Sequence, residues 1–379
     1  MEERRARDVG VYVGHLTPGP QNAITDVGDV RVGHSTVVRG EGPLVVGEGP
    51  VRTGVTVVCP REGLTRDEPV FAGCHSLNGN GEMTGLEWIR EAGVLSTPVA
   101  ITNTHSVGVV RDALIAAELE ARTDEDEYWC LPVVAETFDG TLNDINGHHV
   151  TADHVREALS EARGGSVNEG SVGGGTGMIC HEFKGGIGTA SRRLADEVGG
   201  WTVGALVQTN YGRRDMLRVD GAPVGRVLTT ERIPSPYEDG DALAENGSII
   251  VILATDAPLL PTQCDRLARR ATIGLGRMGG GCEDGSGDIF LAFATGNSGI
   301  PRTGLSELPA TIPLRMVPNE CMTPLFYAAA EATEEAILNA LLAAGTVTGR
   351  DGVTAYGLTP DLLFGALDEA RALCARGGD

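Results

Sequence analysis

The feature that most constrains how this 379-residue chain can fold is an abrupt change from polar to apolar sequence around residue 248. Residues 229–246 contain two prolines, several charged side chains and few apolar ones, a composition typical of an exposed loop. Gly247 and Ser248 follow, and residues 249–254 (IIVILA) are then continuously apolar. An unbroken run of this kind is typical of a strand buried on both faces. The pattern predicts that Ser248 lies where an exposed loop enters the protein core.

Other segments predict a mixture of strands and helices. Apolar and β-branched runs favour strands at residues 53–59, 131–135, 201–207 and 289–294. Helices are predicted after a turn that starts at residue 77, and over residues 105–122, 261–277, 323–344 and 359–375. In the helix over residues 105–122, the predicted buried face consists of Val107, Val110, Leu114, Ala117 and Leu119. The mixture indicates a layered α/β or α+β fold.

Composition narrows the possible partners and the location of the protein. The chain has 54 glycines, about twice the usual fraction of ~7%, and they are not periodic, which favours tight turns in a compact fold. With 30 basic and 52 acidic residues, the net charge of −22 opposes binding to nucleic acid or to an anionic membrane. The charge favours either cationic substrates or a solubilising surface. No run reaches the roughly 20 apolar residues of a membrane helix, and no signal-peptide core is present. We therefore expect a soluble, cytoplasmic protein.

Cysteines and histidines give no sign of a metal site. The eight cysteines form no CxxC pair, so we expect small buried thiols rather than disulfides or a zinc site. His148 and His149 are adjacent, which directs their rings to different neighbours, and the other histidines show no ligand spacing. Structural roles are predicted for all of them, and no metal or organic cofactor is expected.

Common catalytic signatures are absent, and this directs attention to Ser248. The sequence contains no GxSxG, HExxH or GxxxxGK[ST] motif, and its Gly-rich stretches at residues 173–178 and 274–281 lack a phosphate-binding lysine. A serine without a histidine base can use its own α-amine if it becomes a chain terminus. Such an amine has an unperturbed pKa of about 7.7–8.0, close to working pH. Cleavage after Gly247 would free it, and glycine tolerates strained backbone there. A loop–strand junction is common in any α/β protein, so the junction alone favours a purely structural role for Ser248.

Several long motifs are similar to those of one enzyme family. They are, in chain order, NAITDVGDVRVGHSTV (from Asn22), LNGNGEMTG (Leu77), ITNTHSVGVVRDA (Ile101), LNDINGHHV (Leu142), GGGTGM (Gly173), EFKGGIGTASR (Glu182), GSIIVILATDAPLLP (Gly247), SGDIFLAFATGN (Ser286) and EATEEAILNALLAA (Glu331). Together they resemble the L-aminopeptidase/D-amidase/D-esterase family, which includes the β-peptidyl aminopeptidases. The resemblance covers nearly the whole chain.

The resemblance implies a self-processing serine hydrolase with an N-terminal nucleophile. The expected fold is a single α-β-β-α sandwich that is layered like the N-terminal-nucleophile hydrolases but connected differently. The precursor would be cut into residues 1–247 and 248–379, and both parts would remain in one fold. The resemblance also implies a homo-oligomer of such processed heterodimers, acting on small peptides or aminoacyl amides and esters.

The family's catalytic residues can be carried over position by position. Ser248 matches the cleavage-site serine and nucleophile. Ser286 and Asp288 match the serine and acidic residue that orient the nucleophile or its amine. Some relatives have glutamate at the position of Asp288, so the shorter aspartate changes the expected contact distance. Asn210 matches the asparagine of the oxyanion hole.

The substrate pocket is expected around residues 136–140 (ETFDG). Glu136 is our candidate for holding the substrate's ammonium group, and a structural hydrogen bond at a strand end is an equally good role for it. Relatives often have tyrosine at the position of Phe138, so this chain has an apolar wall where they have a hydroxyl. Asparagines in the glycine-rich motifs are expected to satisfy backbone groups at turns: Asn78, Asn80, Asn103, Asn143 and Asn146.

The favoured function is hydrolysis of an N-terminal residue from short peptides, amides or esters through an acyl-enzyme on Ser248. One alternative is an acetyltransferase of the ornithine acetyltransferase type, which also cuts itself but uses threonine at the junction. Acetylornithine turnover without peptidase activity would identify it. Another alternative is an unprocessed, non-catalytic scaffold, for which aminoacyl p-nitroanilide hydrolysis would be absent.

Overall fold

Two β-sheets packed face to face form the centre of the fold. The computed structural model describes residues 5–124, 127–238, 247–302 and 309–376. The larger sheet has the spatial order β4 (Val94–Leu95), β3 (Val70–Ser76), β12 (Gly287–Ala294), β11 (Ser248–Thr255), β10 (Thr202–Asn210) and β9 (Gly186–Arg193). The smaller has the order β1 (Arg31–Arg39), β2 (Val51–Cys59), β5 (Val99–Asn103) and β6 (Val133–Thr137). Neighbouring strands run antiparallel except for the β11–β12 and β5–β6 pairs, which are parallel.

Helices cover the outer faces of both sheets. Helices α2 (Val107–Ala121) and α3 (Ala152–Ser160) pack on the smaller sheet, and α4 (Pro261–Ala268) and α6 (Thr323–Ala343) pack on the larger one. Helix α1 (Leu86–Ala92) lies beside β3, and α7 (Pro360–Arg376) belongs to the larger sheet's outer core. Two short hairpins, β7–β8 (Ile179–Cys180 and Phe183–Lys184) and β13–β14 (Val347–Thr348 and Thr354–Ala355), complete the elements described here. The layers therefore run helix, sheet, sheet, helix, and the predicted α-β-β-α sandwich is confirmed.

Strand β11 explains why residues 249–254 are continuously apolar. Ile250, Ile252 and Ala254 point into the core between the sheets, whereas Ile249, Val251 and Leu253 point into the core under the helices. Since successive side chains of a strand face opposite sides, a strand between two apolar layers needs an apolar residue at every position. The predicted doubly buried strand is confirmed, and Ser248 is its first residue.

Close packing of α6 on β9 depends on a glycine. A Cβ atom at Gly188 would lie 2.0 Å from the carbonyl oxygen of Ala336, so no larger residue fits between strand and helix. This contact positions the larger sheet, and with it the start of β11, against the helical layer.

Two details of the predicted helices are wrong. The predicted helix over residues 261–277 is two helices, α4 and α5 (Ala271–Arg277), because α4 packs on β3 whereas α5 packs on α6. In α2, Leu119 is exposed and Glu118 is buried instead. At about 100° per residue, position 119 is turned away from the face shared by Val107, Val110 and Leu114.

The predictions for the cysteines and for the loop before Ser248 are partly confirmed. Cys59, Cys74, Cys180 and Cys264 are buried as predicted, and Cys130 is half-buried. Cys282, in the loop before β12, and Cys321, at the end of a short 3-10 helix before α6, are exposed; the side chain of Cys374 is outside the described residues. Of the predicted exposed loop, residues 229–238 form turns without a helix or strand, and residues 239–246 lie outside the described part. Ile233 is buried there, and its carbonyl oxygen accepts a hydrogen bond from Arg214. No helix among the described residues is long and apolar enough to cross a bilayer.

Candidate active site

A cleft of about 370 Å³ opens at the start of β11. Residues from both sheets and from the loops between them line this cleft: Asn80, Gly81, Glu82, Thr104, Glu136, Phe138, Thr141, Asn210, Tyr237, Gly247, Ser248 and Gly285. The cleft thus brings together four of the predicted site residues and the predicted cleavage junction, although they are up to 112 positions apart in the chain (248 minus 136).

Strand pairing on both sides places Ser248 in the cleft wall. Ser248 lies opposite Asn210 on the antiparallel strand β10 and beside Gly287 on the parallel strand β12. The Gly287 amide donates to the carbonyl oxygen of Gly247 at 2.9 Å, which holds the junction itself. A Cβ at Gly287 would lie 2.4 Å from the carbonyl oxygen of Asn80, so this strand end requires glycine. Only 6% of Ser248 is exposed.

Ser286 and Asp288 form a buried pair next to the junction. The Ser286 hydroxyl donates to Asp288 Oδ1 at 2.7 Å, and Asn78 Nδ2 donates to Asp288 Oδ2 at 2.7 Å. Asp288 is opposite Ile249, one residue after Ser248, in the parallel register of β11 and β12. Burial raises the pKa of the Asp288 carboxyl, and hydrogen bonds from Ser286 and Asn78 partly oppose this.

The side-chain amide of Asn210 has a fixed orientation. Its Oδ1 accepts a hydrogen bond from the backbone amide of Ile179 at 2.9 Å. Because a backbone amide can only donate, the acceptor oxygen must be the atom at Ile179, and the donor group Nδ2 is left for the cleft that Asn210 lines. The site therefore has a hydrogen-bond donor on the strand that pairs with Ser248.

Glu136 closes another side of the cleft at the end of β6. Its Oε1 accepts from the backbone amide of Glu82 at 2.9 Å, and its Oε2 accepts from the Thr104 hydroxyl. Burial raises the pKa of the Glu136 carboxyl, with the two hydrogen bonds opposing. Phe138 is 37% exposed, and its ring forms an apolar part of the wall.

The two buried carboxylates, those of Asp288 and Glu136, are bonded to neutral groups. Within the described ranges, no Lys, Arg or His lies within 4.0 Å of the Asp288 or Glu136 carboxylate oxygens, and the hydrogen bonds to both come from neutral donors. A buried carboxylate normally needs a counter-charge. The arrangement is suited to binding an ammonium group that the folded chain does not itself supply.

Sequence reasoning missed several residues that complete this site. Asn78 was expected to satisfy backbone groups at a turn, but it also holds Asp288; Asn80 and Asn143 bond backbone atoms as expected. Thr104 and Ile179 were not singled out. Asn78 and Thr104 belong to motifs that carry the family resemblance, and this was the available signal.

The two adjacent histidines point to different neighbours, as predicted. His149 bonds Asp144 at 2.8 Å and Arg39 at 2.6 Å, while the His148 ring stacks on His105 with centroids 6.3 Å apart. These contacts give the histidines structural roles outside the Ser248 junction.

Comparison with known proteins identifies the family. The sequence model of the family described as "Peptidase family S58" matches residues 22–355 of this chain. This chain belongs to peptidase family S58. It is 49% identical to the beta-peptidyl aminopeptidase BapA of Sphingosinicella microcystinivorans over 382 aligned residues, which cover 99% of this chain and 94% of that protein.

Solved structures of this family share the fold. A beta-aminopeptidase from Burkholderia sp. is 59% identical, with a TM-score of 0.90 over 97% of this chain and 99% of that one. The L-aminopeptidase D-Ala-esterase/amidase of Ochrobactrum anthropi, described as a new variant of the Ntn hydrolase fold, is 42% identical, with a TM-score of 0.85 over 96% and 98% of the two chains. The protein is therefore an aminopeptidase with an N-terminal-nucleophile type of fold, as its sequence motifs indicated.

Proposed function

We propose that this aminopeptidase cuts its own chain between Gly247 and Ser248 and then uses Ser248 as an N-terminal nucleophile. The observation that carries the proposal is the position of Ser248, at the first residue of a buried strand and in the wall of the cleft. Residues 1–247 and 248–379 would remain together in one α-β-β-α domain. The strands that hold the junction, β10, β11 and β12, come from both parts, which supports their staying associated.

The α-amine freed by this cleavage is the catalytic base. An α-amine with an ordinary pKa of about 7.7–8.0 is partly unprotonated near neutral pH and can accept the proton of the Ser248 hydroxyl. Ser286 and Asp288 orient this amine, because they lie next to Ser248 across the parallel strand pair. In its protonated form the amine supplies the positive charge that the Asp288 carboxylate lacks in the single chain.

Acyl transfer then proceeds in two steps. Ser248 Oγ attacks the carbonyl carbon of the substrate's first residue, and Asn210 Nδ2 donates to the developing oxyanion, a contact typically worth about 2.7–4 kcal/mol. The α-ammonium returns its proton to the leaving amine or alcohol, which departs and leaves an ester on Ser248. Water, deprotonated by the same amine, hydrolyses this ester.

Glu136 binds the free ammonium group of the substrate. Its carboxylate faces the cleft without a cationic partner among the described residues, and it is held in place by Glu82 N–H and Thr104. This contact would restrict the enzyme to substrates with a free N-terminus. It also accounts for an exopeptidase that releases one residue at a time.

The preferred first residue is a β-amino acid. Relatives that share 59% and 49% of their residues with this chain are named as a beta-aminopeptidase and a beta-peptidyl aminopeptidase, which supports this choice. The relative named for L-aminopeptidase and D-Ala-esterase/amidase activity shares 42%. Turnover of p-nitroanilides of a β-, an L-α- and a D-α-amino acid, compared by kcat/KM, tests the preference.

We further propose a cytoplasmic homo-oligomer of processed heterodimers that acts on small peptides or aminoacyl amides and esters.

Intact mass under denaturing conditions tests the central proposal. Wild type is expected as two fragments of roughly 26 and 14 kDa that meet between Gly247 and Ser248, whereas Ser248→Ala stays a single chain and hydrolyses no aminoacyl p-nitroanilide. Ser160→Ala, at the surface of α3, is the matched control and should be cut like wild type. A single uncut chain in wild type after long incubation, or peptidase activity that survives Ser248→Ala, contradicts the mechanism.

A further inference from the structure

Lys184 is the only lysine in the whole sequence; every other residue among the 30 Lys and Arg is arginine. It lies on β8 and its side chain is completely buried, with 0% of the residue exposed. Burying an ammonium group is costly unless every N–H is hydrogen-bonded. The position of this one lysine therefore calls for an explanation.

All three N–H groups of Lys184 Nζ find backbone acceptors. Nζ donates to the carbonyl oxygens of Gly175 at 3.1 Å, Met178 at 2.8 Å and Gly185 at 2.7 Å. Burial lowers the pKa of Lys184 to about 7, whereas three carbonyl acceptors favour the charged form. A compact ammonium with three donors fits this cage, and the planar, larger guanidinium of arginine does not match it.

One of these acceptors belongs to the peptide group that orients Asn210. The Met178 carbonyl and the Ile179 amide are two ends of the same peptide unit, and Ile179 N–H donates to Asn210 Oδ1 at 2.9 Å. Ile179 and Lys184 are also paired residues in the β7–β8 hairpin. A continuous chain of hydrogen bonds thus runs from the Lys184 ammonium through one peptide unit to the side-chain amide in the cleft.

We propose that Lys184 is a positioning residue that orients and polarises the Asn210 amide through the Met178–Ile179 peptide unit. An ammonium at the Met178 oxygen draws electron density from the peptide, which makes Ile179 N–H a stronger donor to Asn210 Oδ1. The same bond then makes Asn210 Nδ2 a stronger donor to the oxyanion, because hydrogen bonds in a chain polarise one another. The proposal rests on the oxyanion role proposed for Asn210.

A double-mutant cycle tests whether Lys184 acts through Asn210. Lys184→Met, which shortens the unbranched side chain by one atom and removes its charge, should lower kcat by about tenfold or more while KM changes by less than about twofold. In an Asn210→Ala background, the same substitution should lower kcat by less than about twofold, because the chain of hydrogen bonds from Lys184 then no longer reaches a donor to the oxyanion. An equal loss in both backgrounds overturns the proposal.

A matched control separates this role from simple support of the hairpin. Phe183→Leu changes the neighbouring buried residue of β8, which makes no bond in the chain to Asn210, and should leave kcat near that of wild type. A loss of kcat in Phe183→Leu as large as that in Lys184→Met means general disruption and contradicts the proposal. If Lys184→Met does not fold, Lys184→Gln is compared in the same cycle.

Two further readouts keep failures of this proposal distinct from failures of the proposed function. Rates are normalised to the amount of chain cut at Gly247–Ser248 by intact mass, so that slow maturation is not counted as slow catalysis. Wild type that is never cut refutes the nucleophile mechanism and not only the proposed role of Lys184.

Because there is one lysine, ¹⁵N-lysine labelling gives one side-chain NMR signal. An ammonium is expected at the pH of the kinetic assays, and a neutral amine at that pH contradicts the proposed role of Lys184.

Discussion

Two regions that contain buried carboxylates differ in the partners of those carboxylates. Under helix α6, Glu331 and Glu335 flank the guanidinium of Arg192, at 3.1 Å and 2.6 Å respectively. Arg7 adds a second ion pair to Glu335 at 3.0 Å, and Arg192 also donates to the carbonyl oxygen of Val13. Every charge in this cluster has an opposite charge beside it, and the cluster fastens the N-terminal segment to the larger sheet.

At the candidate site, by contrast, Glu136 in the cleft wall and Asp288 behind the junction receive hydrogen bonds only from neutral donors in the described part of the chain. Burial raises the pKa of both carboxyls. In these two regions, charge matching distinguishes the structural cluster from the candidate site. The matched cluster stabilises the fold, whereas the unmatched carboxylates are suited to the cations of the proposed mechanism, namely the α-amine that cleavage would free on Ser248 and the ammonium of the substrate.

The largest expected effect comes from removing the Arg192 guanidinium from the buried cluster. Arg192→Met leaves the buried Glu331 carboxylate without its guanidinium and Glu335 with Arg7 alone, and should lower the free energy of unfolding by about 3–5 kcal/mol. Arg277→Met is the control. Arg277 on α5 pairs with Glu334, which lies on α6 like Glu331 and Glu335, but the Arg277 side chain is 41% exposed, and a partly exposed pair is worth about 0–1 kcal/mol. Urea denaturation measures both. Equal losses would mean that charge matching in the buried cluster is unimportant.

Asp288→Asn should instead lower activity strongly and stability only slightly. We expect kcat to fall roughly 100-fold because the group proposed to orient the amine is lost. In the uncut Ser248→Ala chain, which has no α-amine at residue 248, the same substitution should change the free energy of unfolding by less than about 1 kcal/mol, since no cation loses its partner there. Asp265→Asn serves as control because Asp265 accepts a backbone bond from Cys74 away from the cleft. Steady-state kinetics of the cut enzyme and urea denaturation of the uncut Ser248→Ala chain, each with and without Asp288→Asn, measure the two effects. A large loss of stability in Asp288→Asn would place Asp288 with the scaffold.

Glu136→Gln should act mainly on substrate binding. Removing the carboxylate is expected to raise KM for aminoacyl p-nitroanilides by roughly tenfold with a smaller change in kcat, because the ammonium contact exists before and during the reaction. Glu118→Gln, a buried carboxyl on α2 outside the cleft, should leave KM unchanged. If KM stays constant in Glu136→Gln, the structural role of Glu136 is the correct one.

The smallest expected effect is a change of stability with pH in uncut Ser248→Ala protein. Since the folded pKa of Asp288 and of Glu136 is raised, the folded chain binds more protons than the unfolded chain between about pH 4 and the raised values. Their contribution to stability is therefore present at low pH and is lost as pH rises through the folded pKa. Urea denaturation of Ser248→Ala with and without Asp288→Asn and Glu136→Gln measures it; a dependence that the added substitutions leave unchanged contradicts the assignment.

Much of the fold was predictable from local sequence. The apolar run of β11, the helical spacing of α2 and α6 and the strand runs of β2, β10 and β12 predicted elements that the structure contains at nearly those positions. Strand β6 begins two residues later than predicted. These elements were accessible because burial on one or two faces imposes a periodicity of 3.6 or 2 residues on neighbouring positions. The family motifs added the layering, the junction at Ser248 and the candidate side chains.

The sequence by itself thus determined the elements, their order and the family to which the chemistry belongs. Tertiary structure alone decided which polar groups meet. Asn78 holds Asp288 from 210 positions away, Thr104 reaches Glu136, and the buried ammonium of Lys184 connects to Asn210 through Ile179. Periodicity encodes which face of an element is buried, but it carries no information on the hydrogen-bond partner that a distant strand brings to that face. For the same reason the sequence could not tell the charge-matched cluster at Arg192 from the unmatched carboxylates of the cleft.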